Sequence, residues 1–231
     1  MLLEIQSRLV GDVLVLNCSG RIVAGTEAQA LHDHLKNAVP ENPDVVLQLG
    51  QVGFIDSSGL GTLVRLMTYA RSRGGDVKLC AVPEFIAKTL RLTCLNKVFE
   101  SYGSEGEAIS ASYQRRQSKQ SETAHPSQTV LCFEESADVL AFLRELLRHA
   151  GYRVLTTSLL PDAQVLLKAT RPSLIVLGPR TANACRRNIK ELFGQIAPAV
   201  PVCVLEEDFS TRDPGEAGAL LLEKVQQVLA A

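Results

Sequence analysis

The stretch Phe54-Ile55-Asp56-Ser57-Ser58-Gly59-Leu60-Gly61 constrains the fold of this chain more than any other. It follows a short apolar run, Val45-Val46-Leu47-Gln48-Leu49, that reads as a buried strand. It precedes a segment in which Leu60, Leu63, Val64, Leu66, Met67 and Ala70 recur at helical spacing. Asp56 and Ser57 are good N-cap residues, and Gly59 and Gly61 let another backbone approach closely. The stretch is therefore expected to be a strand-to-helix turn presenting a serine hydroxyl at a helix N-terminus. Free amides and the helix dipole make such a place favourable for phosphate.

The flanking sequence extends this into an alternation. Leu2–Val10 and Val13–Ser19 are apolar-rich runs joined by the turn signal Gly11-Asp12, so a hairpin should open the fold. Gly20–Gly25 reads as a loop. Thr26 can then cap a helix patterned by Ala28, Leu31, Leu35 and Ala38, which Pro40 and Pro43 close. After the serine turn and its helix, ended by Gly74-Gly75, Val77–Val82 is the next strand. Pro83 opens a helix to about Cys94, Lys97-Val98-Phe99 is a short strand, and Glu105–Tyr113 a last helix. Strands alternating with helices predict an α/β layer with a mostly parallel sheet behind an antiparallel hairpin.

Residues 113–128 then break the pattern. Gln114–Gln128 is rich in Ser and Gln, contains Pro126 and has no large apolar residue, which predicts a flexible linker. It separates a domain at 1–112 from a second at 129–231. In the second, strands are expected at Thr129–Phe133, Tyr152–Thr156, Leu174–Leu177 and Val200–Leu205. Helices are expected at Ser136–Ala150, Pro161–Thr170, Asn183–Ile196 and Glu216–Leu229. That period predicts a doubly wound α/β sandwich.

A net charge of -1, with 46% hydrophobic residues, excludes a general nucleic-acid or membrane-surface role and suits a soluble globular protein. No apolar run approaches the roughly 20 residues of a membrane helix. Met1-Leu2-Leu3-Glu4 has neither the basic start nor the apolar core of a signal peptide, so the expected location is the cytoplasm. The six cysteines, Cys18, Cys80, Cys94, Cys132, Cys185 and Cys203, form no CxxC pair. They read as small buried hydrophobes rather than zinc ligands or a redox couple, and no metal or cofactor is expected.

Three roles fit the serine turn. A nucleophile needs a base, and only His32 and His34 share this half of the chain; the surroundings of Ser57 are also not a G-x-S-x-G elbow, since Ile occupies position 55. A purely structural cap is the second role. A regulatory phosphorylation site is the third: phosphate would add about 1.5–2 negative charges where a partner docks.

The first half resembles the STAS domain of bacterial anti-sigma factor antagonists. The residues that carry the resemblance are the hairpin start, Gly20-Arg21-Ile22, Val46-Leu47-Gln48-Leu49, and the serine stretch itself. It continues through Arg73-Gly74-Gly75-Asp76-Val77-Lys78-Leu79 and Leu95…Val98-Phe99. The resemblance implies a STAS-type mixed sheet with helices and a non-enzymatic regulator. Ser57 would be its phosphoacceptor, with Ser58 second, and Asp56, Ser57, Ser58, Gly59, Arg21 and Ile22 its partner-binding residues. It further implies two partners, a serine kinase of the histidine-kinase-like ATPase type that is also the anti-sigma factor, and a PP2C-type phosphatase. Many members carry an acidic residue where this chain has Val23, so partner contacts there should differ. The alternative is a constitutive scaffold in which Ser57 is only a helix cap.

The second half resembles a response-regulator receiver domain with a shortened C-terminal part. Glu134 and Glu135 stand where receivers carry acidic residues, and Arg171–Leu177 matches the approach to the phosphoacceptor, which falls on Gly178. A glycine has no carboxylate to phosphorylate. Glu206 replaces the usual Ser or Thr, no lysine stands between it and the last helix, and Asp208–Gly215 is too short for a helix and a fifth strand. The resemblance implies a phosphorylation-incompetent pseudo-receiver used for docking or a dimer contact.

Overall fold

The computed structural model describes residues 2–25, 44–120, 128–179, 188–210 and 213–230. The expected helix around Ala28–Ala38, His32 and His34, residues 121–127 of the expected linker and the start of the helix at Asn183 lie outside the described residues. The chain divides into two units, Met1–Ser112 and Tyr113–Ala231.

In the first unit, β1 (Glu4–Val10) and β2 (Val13–Ile22) form an antiparallel hairpin that turns at Gly11, whose φ of 60° favours glycine. β3 (Asp44–Ile55), β4 (Asp76–Cys80) and β5 (Glu100–Tyr102) continue the sheet in parallel, giving the order β1-β2-β3-β4-β5. This is an α/β fold with a mixed sheet. Its helices among the described residues are α1 (Ser57–Ser72), α2 (Glu84–Leu92) and α3 (Glu105–Gln120), the last of which starts in this unit. Leu60, Leu63, Leu66, Met67 and Ala70 of α1 and Ile86 and Leu90 of α2 share one core with Leu16, Ile22, Leu47, Leu49, Ile55 and Leu79. β3 begins with four consecutive buried residues and not an alternation, as expected of a strand buried on both faces.

Four expectations are corrected. β2 runs through Gly20-Arg21-Ile22, which the glycines suggested was loop. Two register shifts, at Asn17/Ser19 and Gly20/Arg21, let pairing with β3 resume, so that Arg21 faces Phe54 and Ile22 faces Ile55. Gly20 is required there: at φ +96°, an added Cβ would lie 2.1 Å from the Leu2 carbonyl oxygen. β3 likewise continues past Leu49 to Ile55, carried by its pairing with that extended β2. Lys97-Val98-Phe99 is not a strand. Cys94 at φ 58° opens a 3-10 turn, Leu95–Lys97, and strand pairing with Lys78–Cys80 starts only at Glu100. Finally, α3 runs beyond Tyr113 to Gln120, so the first part of the polar stretch is helical; glutamine and arginine are good helix formers without being apolar.

In the second unit, β6 (Thr129–Phe133), β7 (Arg153–Thr157), β8 (Leu174–Leu177) and β9 (Val202–Val204) make a parallel sheet in the order β7-β6-β8-β9. The helices α4 (Ala137–His149), α5 (Leu160–Thr170), α6 (Asn188–Ile196) and α7 (Pro214–Ala230) alternate with these strands. Val130, Cys132, Leu143, Leu147, Val154, Val176, Cys203 and Val225 belong to its core. After β9, a 3-10 turn at Glu207–Ser210 leads to α7, and the described residues contain no fifth strand. No described helix is long and apolar enough to cross a membrane.

Candidate functional site

The serine turn is built by two parallel strand ends. Ile22 and Ile55 are register partners, and the next amide, Asp56 N, donates to Ile22 O at 3.3 Å. Asp56 is extended (φ -102°, ψ -179°) and is the N-cap of α1. Its Oδ1 accepts from Gly59 N at 2.7 Å, and its carbonyl accepts the first helical bond from Leu60 N at 2.9 Å. Oδ2 accepts from Ala24 N at 3.2 Å, so one carboxylate ties the start of α1 to the segment leaving β2. The Gly59 amide does most to hold the Asp56 carboxyl below its ordinary pKa. Burial, the next largest influence, works the other way, and the amides of Ala24 and Ser58 and the Arg21 guanidinium reinforce the lowering.

The two glycines have different roles. A Cβ on Gly59 would stand 2.1 Å from Ile22 O, so the turn closes only with glycine there. A Cβ on Gly61 would meet nothing within 4 Å; the expectation that both glycines admit a neighbouring backbone holds for Gly59 alone.

Ser57 is the first residue of α1 and is exposed, and its hydroxyl makes no hydrogen bond among the described residues. Capping belongs to Asp56, not to Ser57. Ser58 is also exposed; its carbonyl accepts from Thr62 Oγ1 at 3.0 Å, and that hydroxyl in turn accepts from Arg65 Nη2 at 2.8 Å. Of the remaining expected partner-binding residues, Arg21 is exposed, whereas Ile22 is fully buried and offers no side chain to a partner. Phe54 was not among them. It is 45% exposed, and the Arg21 guanidinium lies 5.1 Å from its ring centroid. An aromatic residue immediately ahead of a buried Ile on a strand was the available signal, since alternation turns it outward.

At the corresponding end of the second unit's sheet, Gly178 follows β8 and Glu134 follows β6, with Gly178 N donating to Phe133 O at 2.9 Å. Glu134 is fully buried, and its Oε1 accepts from Ser136 N at 3.0 Å. An added Cβ on Gly178 would stand 2.0 Å from Glu134 Oε2 and 2.5 Å from Glu134 Cβ. The glutamate thus fills the space a side chain at 178 would need. Glu135 is exposed, so the two acids do not converge, and the described residues contain no group of three or more His, Cys, Asp or Glu able to hold a metal.

The family model described as STAS domain matches residues 4–108. Similar solved structures include a proposed anti-sigma factor antagonist from Thermotoga maritima, 24% identical over 47% of this chain and 93% of that one, with a TM-score of 0.44. Another is an anti-sigma factor antagonist from Mycobacterium paratuberculosis (25%; 48% and 93%; 0.42), and a third is a STAS domain protein from Planctomyces limnophilus (23%; 46% and 96%; 0.42). The family match lies within the first unit of the chain and ends within α3.

Proposed function

We propose that the chain is an anti-sigma factor antagonist-like regulator in a partner-switching pathway, set by reversible phosphorylation of Ser57. In the reaction, the γ-phosphoryl group of ATP passes to Ser57 Oγ. ADP leaves and the hydroxyl proton goes to a base of the kinase. A PP2C-type phosphatase reverses this with water, releasing inorganic phosphate. The unphosphorylated domain binds an anti-sigma factor that is itself the serine kinase, and so frees the sigma factor; about 1.5–2 added negative charges at the docking face disfavour that binding. The chain itself is a non-enzymatic switch, with Ser58 as the second-choice acceptor. The second unit is a receiver-like domain unable to carry an aspartyl-phosphate, and serves docking or a dimer contact.

The observation that carries the reading is the division of labour at the cap. Asp56 does the capping, which leaves Ser57 exposed, with a hydroxyl bonded to nothing among the described residues and free to be modified without cost to the helix. The test is incubation with ATP and a histidine-kinase-like serine kinase that binds the chain, followed by phosphopeptide mapping. The expected phosphopeptide contains phospho-Ser57, and Ser57→Asp is expected to weaken kinase binding. Phosphate only at other residues, or unaltered binding by Ser57→Asp, sinks the proposal in favour of a constitutive scaffold.

A further inference from the structure

A phosphate at a helix N-terminus ordinarily draws on the open amides there. In this turn the carboxylate of Asp56 already holds Gly59 N and Ala24 N, and the Ser58 amide acts on it too. That carboxylate is also a like charge on the adjacent residue. A phosphoryl group on Ser57 therefore needs a cation more than it needs amides.

Among the described residues, Arg21 is the charged side chain whose field reaches the Asp56 carboxylate. It is exposed and held against the Phe54 ring, 5.1 Å from the centroid. It sits at the right end of the strand: Arg21 pairs in register with Phe54, Ile22 with Ile55, and Asp56 N donates to Ile22 O. An exposed cation–π contact is weaker than a guanidinium–phosphate pair with two charge-assisted hydrogen bonds, so a phosphate within reach should win the guanidinium from the ring.

We infer that Arg21 captures the phosphoryl group of phospho-Ser57 in cis and in doing so leaves the face of Phe54. The inference rests on the reading of Ser57 as the phosphoacceptor. It deepens that reading by making the switch two-sided. The unmodified turn offers a partner an exposed guanidinium stacked on a ring, which suits a carboxylate on the partner. The phosphorylated turn offers a neutralised guanidinium and a bare aromatic face.

The test places phosphoserine at position 57 during translation and follows its phosphorus resonance through a pH titration in the full chain. The second phosphate pKa is expected to lie about one pH unit lower than in the same phosphorylated chain carrying Arg21→Ala, as a neighbouring opposite charge dictates. The Arg21 Nε–H resonance should move with the same midpoint. Arg21→Gln, which keeps the stem over Phe54, serves as a second variant and should raise the pKa as Arg21→Ala does. Equal phosphate pKa values in the parent and in a folded Arg21 variant overturn the capture. Because the phosphate is installed directly, that result leaves the Ser57 reading standing, whereas a kinase that modifies other residues sinks that reading without touching the capture.

Discussion

The two glycines of the serine turn, two residues apart on one helix, should respond oppositely to the same substitution. Gly59→Ala drives a methyl group into the Ile22 carbonyl oxygen, 2.1 Å away, and is expected to cost at least about 1–3 kcal/mol, the range of an overpacked site. Gly61→Ala meets nothing within 4 Å in the interior of α1, where glycine is worth about 0.5–1 kcal/mol less than alanine, and should stabilise the chain by that amount. Urea denaturation of the two variants checks both signs. Asp56 gives a pH signature at the same turn. Its folded pKa is depressed, chiefly by the Gly59 amide, so its contribution is complete above the ordinary carboxylate pKa of about 3.9 and is lost as pH falls through the lower folded value. The difference in denaturation midpoint between the chain and Asp56→Ala should be constant near neutrality and shrink below about pH 4.

At the level of elements, the buried Glu134 restricts position 178 by volume. Gly178→Asp does not simply add a carboxylate at the end of β8, because Glu134 Oε2 would lie 2.0 Å from the new Cβ. The variant is expected to lose about 1–3 kcal/mol, and Glu134→Ala in the same chain to return part of it, a non-additivity that a double-mutant cycle in urea measures. The sequence shows the glycine at 178 but not the acid that fills the space beside it, since that depends on β6 and β8 being neighbours. The same limit explains the elements that differ from expectation. Apolar spacing marked α1 and the strands at Val45 and Thr129 because burial repeats along them. β2 beyond Ser19 was hidden because its continuation rests on a register shift and on backbone pairing with β3, neither of which has a compositional mark. The turn at Leu95–Lys97 looked like a strand because Val98 and Phe99 are good strand residues, yet the left-handed backbone at Cys94 turns the chain first. At the site, Asp56 and Ser57 were visible as cap residues, but only the geometry assigns the cap to one and leaves the other open.

At the scale of the whole chain, each of two hydrophobic cores is composed entirely of residues from one unit: Leu16, Leu47, Leu63 and Leu79 in the first, Val130, Leu143, Leu147 and Val176 in the second. A cavity in one core weakens the contacts of its own cluster, so its effect on local opening should follow the boundary near Ser112. Leu47 and Leu143 are both fully buried, and truncating either to alanine should cost about 2–5 kcal/mol in the unit that holds it. Amide hydrogen exchange reads this unit by unit. Leu47→Ala is expected to speed exchange in β2, β3 and β4 by about 30-fold or more, a conversion of about 2 kcal/mol, while β6, β7 and β8 keep their parent rates. Leu143→Ala should give the mirror image. The buried thiols supply an independent reading of the same openings. Burial pushes Cys18 and Cys132 up to about 12, so neither is a thiolate at neutral pH, and each should react with a maleimide only when its own unit opens. Leu47→Ala should then accelerate labelling of Cys18 and not of Cys132. Equal acceleration of both thiols by either substitution would mean that the two cores open as one cooperative body.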